Sequence, residues 1–251
     1  MFHFDHKVIL VTGAGAGIGK AAAKAYAKNG GLVVVNSRSD SGKETVNEII
    51  SQGGNAVFAK GDVGQEEDVK QIVQTTVDHF HQIDVVVNCA GVVCGGNVEE
   101  TDLELWNDVM TTNVTGTFLV CKYAIPYLRQ SKGVIVNISS LVAVKGITNR
   151  AVYSASKGAV LSLSRAMAAD YINDGIRVNV VSPGTVLSPS LEKRIASEAD
   201  PEAAMLRYVS RQPLGRLGKP EEIAAAILFA SSEEAGFLDG TNIRIDGAAS
   251  L

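Results

Sequence analysis

The chain has 251 residues, of which 46% are hydrophobic and 20% are charged. This composition excludes a disordered chain, and we expect residues 1–251 to form one domain with a sizeable core. The 23 basic and 27 acidic residues give a formal net charge of −4. That charge provides no general attraction to nucleic acid or to an anionic membrane, so neither is an expected partner.

The three cysteines, Cys89, Cys94 and Cys121, show no paired CxxC spacing. We therefore expect reduced thiols, with neither a disulfide framework nor a metal site. Residues 1–7 show no signal-peptide pattern, and no apolar run approaches the ~18 residues of a membrane span. The sequence predicts a cytoplasmic protein.

Short runs rich in Val and Ile alternate with helical stretches along the chain. The pattern predicts strands at 7–12, 32–36, 56–59, 83–88, 133–138, 176–181 and 242–245. It predicts helices at 17–29, 40–51, 66–80, 102–130 and 153–172. Continuous apolar strands are typical of a parallel sheet that is covered on both faces. We therefore predict an α/β fold, a single Rossmann-type doubly wound parallel sheet of about seven strands with helices on both faces.

One stretch, about residues 185–212, interrupts this alternation. Pro189, Pro201 and Pro213 surround short helical patterns there. We predict a substrate loop or lid, because insertions of this kind commonly lie beside a site.

A glycine-rich turn follows the first strand and precedes the first helix. A helix N-terminus after such a turn binds anions through its backbone N–H groups and its dipole. The spacing fits T-G-x-x-x-G-x-G rather than G-x-G-x-x-G or the ATP-binding pattern. A purely structural turn is the alternative to a nucleotide site. The candidate cofactor-binding residues are Thr12, Gly13, Gly15, Gly17, Ile18 and Gly19.

The second strand ends in Asn36-Ser37-Arg38-Ser39, without a carboxylate before Asp40. An acidic residue at this place binds a ribose 2′-hydroxyl, whereas a basic one accepts a 2′-phosphate. Ser37 and Arg38 therefore favour NADP(H). If Arg38 is only a solvated loop charge, NAD(H) remains possible.

Tyr153 and Lys157 are spaced i, i+4, so they share one face of the predicted helix 153–172. An ammonium beside a phenol lowers the pKa of the phenol, which then exchanges protons more readily near neutral pH. Alone, the pair is equally compatible with a packed tyrosine beside a solvated lysine. Ser140, at the end of the fifth strand, and Asn88, at the end of the fourth, add polar groups where ligands bind in such folds.

Taken together, these motifs resemble the short-chain dehydrogenase/reductase family over essentially the whole chain. The motifs occur in the family's order: Thr12 to Gly19, Asp62-Val63, Asn88 to Gly91, Asn113, Ser140, Tyr153 to Lys157, and Pro183-Gly184. One departure is Cys89, which stands where the family commonly has a second Asn.

The resemblance implies a hydride transfer between nicotinamide C4 and a carbonyl or carbinol carbon. It implies that Tyr153 is the acid/base and that Lys157 lowers its pKa and binds the nicotinamide ribose. Ser140 would bond the substrate carbonyl, and Asn113 would hold a water in a proton relay to Lys157.

The resemblance also implies cofactor contacts and an assembly. Asp62 and Val63 would meet the adenine. The adenosine ribose would meet Asn88, Ala90 and Gly91, and the nicotinamide would meet Pro183, Gly184, Val186 and Ser188. A homotetramer is implied, through the helices 102–130 and 153–172 and the C-terminal strand.

The substrate is less defined by sequence. The segment 183–190, P-G-T-V-L-S-P-S, resembles relatives that act on sugars and small hydroxy acids. The alternative is a 3-oxoacyl-[acyl-carrier-protein] reductase, although the acidic segment 170–174 suits an acidic carrier poorly. The candidate substrate-pocket residues are Ser140, Tyr153, Val92, Val93, Leu141, Val142, Thr148 and Arg150.

Two other classes of protein are alternatives to an enzyme. One is a non-catalytic nucleotide-binding regulator, and the other is a scaffold. The presence of Asn113, Ser140, Tyr153 and Lys157 together favours the enzyme.

Overall fold

A computed structural model describes residues 2–251. Its centre is one seven-stranded sheet with the strand order β3-β2-β1-β4-β5-β6-β7, in which every pairing is parallel. The strands are β1 (Val8–Thr12), β2 (Leu32–Ser37), β3 (Asn55–Lys60), β4 (Val85–Asn88), β5 (Val134–Ile138), β6 (Arg177–Pro183) and β7 (Asn242–Ile245). The predicted doubly wound α/β fold is confirmed.

Helices cover both faces of the sheet. They are α1 (Gly17–Lys28), α2 (Ser41–Ser51), α3 (Glu66–Phe80), α4 (Leu103–Met110), α5 (Gly116–Ser131), α6 (Ala151–Tyr171), α7 (Pro189–Ala196), α8 (Pro201–Ser210) and α9 (Pro220–Ser231). Two separate clusters of buried apolar side chains form the core, one on each side of the strands. In β1, for example, Ile9 and Val11 belong to one cluster and Leu10 to the other.

The prediction of one continuous helix over 102–130 is wrong in one respect. The structure divides it into α4 and α5, joined by a π-helical turn at Thr111–Thr115. Apolar periodicity does not reveal such a turn, because a single π turn shifts the pattern by only one residue. π turns occur frequently at functional sites, and this one carries Asn113.

A second difference is α9, since no helix or strand is predicted for residues 213–241. This helix is apolar on most of its surface and packs against α1 and β6, so it lacks the polar face that produces helical periodicity. Its start does carry a signal, because Pro220 is followed by Glu221 and Glu222 in the first turn.

The stretch 185–212 contains α7 and α8 joined by a short loop. Leu191 and Ile195 of α7, Ala204 of α8 and Leu217, which follows α8, form a small separate apolar cluster. Among residues 2–251, no helix is both long enough and apolar enough to cross a membrane.

Candidate active site

The turn between β1 and α1 lies directly against the end of β4. Gly13 has a φ of +63°, and a Cβ atom there would lie 2.7 Å from the Ala90 Cα atom. A Cβ atom at Gly19 would lie 2.5 Å from the Gly13 carbonyl oxygen. Glycine at these two positions therefore lets the turn, the first turn of α1 and the end of β4 approach closely. A compact turn of this kind at a helix N-terminus suits a phosphate group.

Two cavities lie at this edge of the sheet. The smaller cavity, of about 290 Å³, opens beside the turn at the ends of β2 and β3. Arg38 and Asp62 line it, and Arg38 Nη1 lies 3.5 Å from Asp62 Oδ2. Ser37 also lines it, but its Oγ donates to the Ser39 carbonyl oxygen at 2.6 Å and accepts from the Gly42 N–H at 3.1 Å. Ser37 therefore stabilises the loop between β2 and α2. The exposed Arg38 guanidinium can leave the Asp62 carboxylate and pair with another anion instead.

A larger cavity of about 920 Å³ adjoins the smaller one. Both cavities are lined by Gly13, Ala16, Ala90, Gly91 and Val92, so together they form one groove along the carboxyl edge of the sheet. The larger cavity contains the predicted residues Gly17, Ile18, Gly19, Val93, Ser140, Leu141, Val142, Thr148, Arg150, Tyr153, Lys157, Pro183, Gly184, Val186 and Ser188. The smaller cavity adds Gly15 and Val63.

Two predicted cofactor-binding residues do not line the groove. Thr12 is buried, and its Oγ1 accepts from the N–H groups of Cys89 and Ala90 at 3.1 and 3.2 Å. Asn88 is buried, and its Nδ2 donates to Asn137 Oδ1 at 2.8 Å. Both side chains therefore lie behind the wall of the groove and stabilise it through these hydrogen bonds.

The Lys157 ammonium is almost fully buried below Tyr153. Its Nζ donates to the Ile138 carbonyl oxygen at 2.8 Å and lies 5.9 Å from the centre of the Tyr153 ring. Burial lowers the pKa of Lys157 to about 8. An ammonium with this pKa is still mostly protonated at pH 7.

The expectation of a lowered pKa for Tyr153 is wrong for the free protein. Burial raises the pKa of this phenol, while Ser140 and the charges of Arg194 and Arg150 act against that rise. The sequence argument considered the neighbouring ammonium and left out the cost of placing a phenolate in a desolvated site. A raised pKa keeps Tyr153 protonated, which is the state that a proton donor needs.

Asn113 is fully buried, and its amide is engaged by the protein. Its Nδ2 donates to the Val92 carbonyl oxygen and to Ser156 Oγ, each at 3.0 Å, and its Oδ1 accepts from the Val92 N–H at 2.8 Å. The side chain therefore fixes the segment after β4 against α6.

Sequence reasoning missed several residues that line the larger cavity on the side of α7 and α8. These residues are Arg194, Tyr208, Arg211 and Gln212. Their positions follow from the way that α7 and α8 fold over the groove, and local sequence carries no sign of that packing. The only available signal was their place within the predicted lid.

Known proteins share this fold and sequence over the full length. The family model described as enoyl-(acyl carrier protein) reductase matches residues 13–249. An uncharacterized oxidoreductase of Thermotoga maritima is 49% identical over 98% of this chain and 98% of its own. L-fucose dehydrogenase of Mus musculus is 39% identical over 99% of this chain and 90% of its own. The crystal structure of a short-chain dehydrogenase/reductase from Burkholderia xenovorans has a TM-score of 0.95 and 31% identity, covering 100% of this chain and 98% of that one.

The fold and these relatives define an oxidoreductase that acts on CH–OH groups. The chain belongs to the short-chain dehydrogenase/reductase family, whose dehydrogenases use NAD(H) or NADP(H). The printed names of two relatives specify a sugar, L-fucose, and a diol, meso-2,3-butanediol.

The lowered pKa of Lys157 predicts a pH dependence of stability. The unfolded chain binds a proton at this lysine up to about pH 10.4, whereas the folded chain releases it near pH 8. Between these values the unfolded state carries more protons, so the folded state gains stability as the pH rises. Relative to Lys157→Met, the wild type should gain roughly 2 kcal/mol of unfolding free energy between pH 7 and pH 10. Urea denaturation at both pH values measures this gain.

Lys28→Met is the matched control, because Lys28 is exposed at the end of α1. Its difference from the wild type should stay constant over the same pH range. A constant difference for Lys157→Met as well would show that the Lys157 amine is not desolvated.

Proposed function

We propose that the protein transfers a hydride between NADP(H) and a small carbonyl or alcohol compound, with Tyr153 as acid/base. The observation that carries this proposal is the meeting of Ser140, Tyr153 and Lys157 in one cavity that adjoins the glycine turn. The nicotinamide supplies and accepts the hydride when it is bound. The groove suits a dinucleotide, because the glycines keep the turn compact at the N-terminus of α1, where a pyrophosphate binds in such folds.

Tyr153, Ser140 and Lys157 each have a defined task in the reduction. The Tyr153 phenol donates its proton to the substrate oxygen, and Ser140 Oγ donates a hydrogen bond to the same oxygen. The buried ammonium of Lys157 stabilises the phenolate that remains. Asn113 positions this machinery, since its amide joins Val92 to Ser156 on α6. In the oxidation of an alcohol, the same groups act in reverse.

We also propose that residues 1–251 act as one cofactor-binding and catalytic domain, with 185–212 as the substrate lid. The support is the placement of α7 and α8, which have their own apolar cluster and contribute Arg194 and Tyr208 to the larger cavity.

The carrier-protein alternative has weaker support. Arg129, a basic residue available near the acidic segment, has its Nε 2.9 Å from Asp174 Oδ2. This pair leaves less free positive charge there for an acidic protein. A non-catalytic regulator is also disfavoured, because such a protein has no need of the Ser140, Tyr153 and Lys157 arrangement.

Tyr153→Phe tests the acid/base. Without the phenolic hydroxyl, turnover should fall at least about a hundredfold, since proton transfer by a placed side chain contributes about 10²–10⁴-fold. Absorbance of the reduced nicotinamide measures the rate with a panel of sugars and small oxo and hydroxy acids. Fluorescence titration should show unchanged NADPH affinity.

The control variant is Tyr171→Phe, on the same helix and outside the groove. It should retain wild-type rates. Turnover by Tyr153→Phe within threefold of the wild type would refute the assigned role.

Arg38→Ala tests the preference for NADP(H). Arg38 is exposed at the smaller cavity, where a 2′-phosphate would replace Asp62 as its partner. Loss of a charge-assisted contact should raise KM for NADPH about ten- to a hundredfold and leave KM for NADH within about twofold. Steady-state kinetics with both cofactors give these values.

For comparison, Lys43→Ala removes an exposed charge of α2 that already pairs with Asp40. Its KM for NADPH should change little. An equal rise of both KM values in Arg38→Ala would rule out a phosphate contact.

We propose a homotetramer as the working assembly. Its support is a set of exposed apolar side chains on α4 and α5, namely Leu103, Trp106 and Phe118. Surfaces of this kind mark contacts between chains. Sedimentation should show a mass of four chains, and Phe118→Glu should shift it to smaller species.

Ile50→Glu is the control, because Ile50 is exposed on α2, away from these helices. It should leave the tetramer intact. A wild-type species of only 26.4 kDa would contradict the proposal.

A further inference from the structure

The larger cavity has a cationic lining. Within residues 2–251, its lining includes neither Asp nor Glu. The cationic side chains are Lys145, Arg150, Lys157, Arg194 and Arg211. The proposed hydride transfer uses Lys157 alone among these charges. A neutral sugar or diol does not need the other four, because hydroxyl groups are bound as well by uncharged donors and acceptors.

Arg194 is the most informative of these side chains. It lies on α7, and its Nε atom is buried without a hydrogen-bond partner among the described residues. Arg177, by contrast, is also partly buried and donates to the carbonyl oxygens of Ala230, Ala235, Leu238, Ser231 and Ser232. A buried guanidinium N–H without an acceptor is costly. The missing acceptor at Arg194 therefore points to a ligand in the cavity.

Arg150 and Arg211 complete the cationic wall. Arg150 is partly buried at the start of α6, and one of its nitrogens donates to the Asn149 carbonyl oxygen at 2.7 Å. Arg211 follows α8 and lies over the Tyr208 ring, 5.7 Å from its centre. Neither guanidinium has a carboxylate partner within the described chain. Both therefore have N–H groups available to a bound anion.

These charges lie close enough to the reacting centre to affect it. Arg194 and Arg150 both act to lower the pKa of Tyr153. These two arginines and Tyr153 line the same cavity. A molecule bound in this cavity can thus contact an arginine as well as the Tyr153 hydroxyl.

We propose that the substrate carries a carboxylate that is bound by Arg194, with Arg150 and Arg211 beside it. This inference rests on the proposed function and narrows its substrate class to small oxo acids and the corresponding hydroxy acids. The planar fork of a guanidinium matches the two oxygens of a carboxylate, so Arg194 provides both affinity and orientation. The oriented acid then presents its carbonyl oxygen to Ser140 and Tyr153.

The first test compares acids with their esters. Pyruvate, acetoacetate and levulinate are each assayed with NADPH beside the matching methyl ester, which keeps the ketone and removes the charge. Each reduction consumes one NADPH and one proton and yields the hydroxy compound and NADP⁺. The best acid should exceed its ester at least tenfold in kcat/KM.

Variants of Arg194 then test whether its guanidinium is the group that binds the carboxylate. Arg194→Gln should lower kcat/KM for the acid about ten- to a hundredfold, so that the acid no longer exceeds its ester by more than about threefold. Arg194→Lys should recover part of the loss, since it restores the charge without the fork. Lys193→Gln is the matched control, because Lys193 is the exposed neighbour on α7 and does not line the cavity; its kinetics should equal those of the wild type.

A binding measurement separates failure of this inference from failure of the proposed function. Butyrate and butyramide, neither of which is reduced by the enzyme, are titrated calorimetrically into the wild type and Arg194→Gln. Butyrate should bind the wild type at least tenfold more tightly than the variant, and butyramide should bind both equally. Absent or Arg194-independent butyrate binding would overturn the carboxylate site even if no ketone were turned over.

Two kinetic results would also overturn the inference. The first is equal turnover of acids and esters that still requires Tyr153, which would leave the proposed function intact. The second is faster turnover of an acetoacetyl thioester than of any acid, which would favour the carrier-protein alternative.

Discussion

The site depends on a short chain of buried amide and hydroxyl groups that joins the centre of the sheet to α6. Asn88 on β4 donates to Asn137 on β5 at 2.8 Å, and Asn137 donates to Ser164 on α6 at 2.8 Å. Ser139 Oγ adds a bond to the Lys157 carbonyl oxygen at 2.8 Å. Because leaving a buried polar group unpaired is costly, these contacts allow few positions of α6 relative to the strands. Tyr153 and Lys157 are thereby held at the carboxyl edge.

Once α6 is held in this way, burial decides the protonation of its two functional groups. The same desolvation that raises the pKa of Tyr153 lowers that of Lys157. Both effects favour the neutral forms, so the free site keeps its phenolic proton and holds its ammonium weakly. The charges of Arg194 and Arg150 act against this tendency at Tyr153. Because Arg194 lies on α7 and Arg150 at the start of α6, the protonation of the phenol depends on both elements.

Much of the fold follows from local sequence. The strands are continuous Val and Ile runs, and each predicted one lies within two residues of its observed bounds. The glycine turn and the Tyr153–Lys157 spacing are similarly local, and the groove brings both together. The π turn at Thr111–Thr115 and helix α9 were missed because one is a small irregularity and the other is apolar on nearly all sides. Arg194 was missed because its importance comes from the way that α7 folds over the cavity.

The two ends of the groove use arginine in physically different ways. Arg38 is exposed, and its Nη1 lies 3.5 Å from Asp62 Oδ2. A phosphate that replaces this carboxylate therefore exchanges one solvent-exposed ion pair for another. Arg194 has a buried N–H without an acceptor, so an incoming carboxylate removes an existing penalty and gains a charge-assisted bond. On the proposed assignments, both contacts select an anion, one through an exposed charge and the other through a buried N–H group that otherwise lacks an acceptor. The solvated end then tolerates NADH, while the desolvated end rejects neutral analogues of the acid.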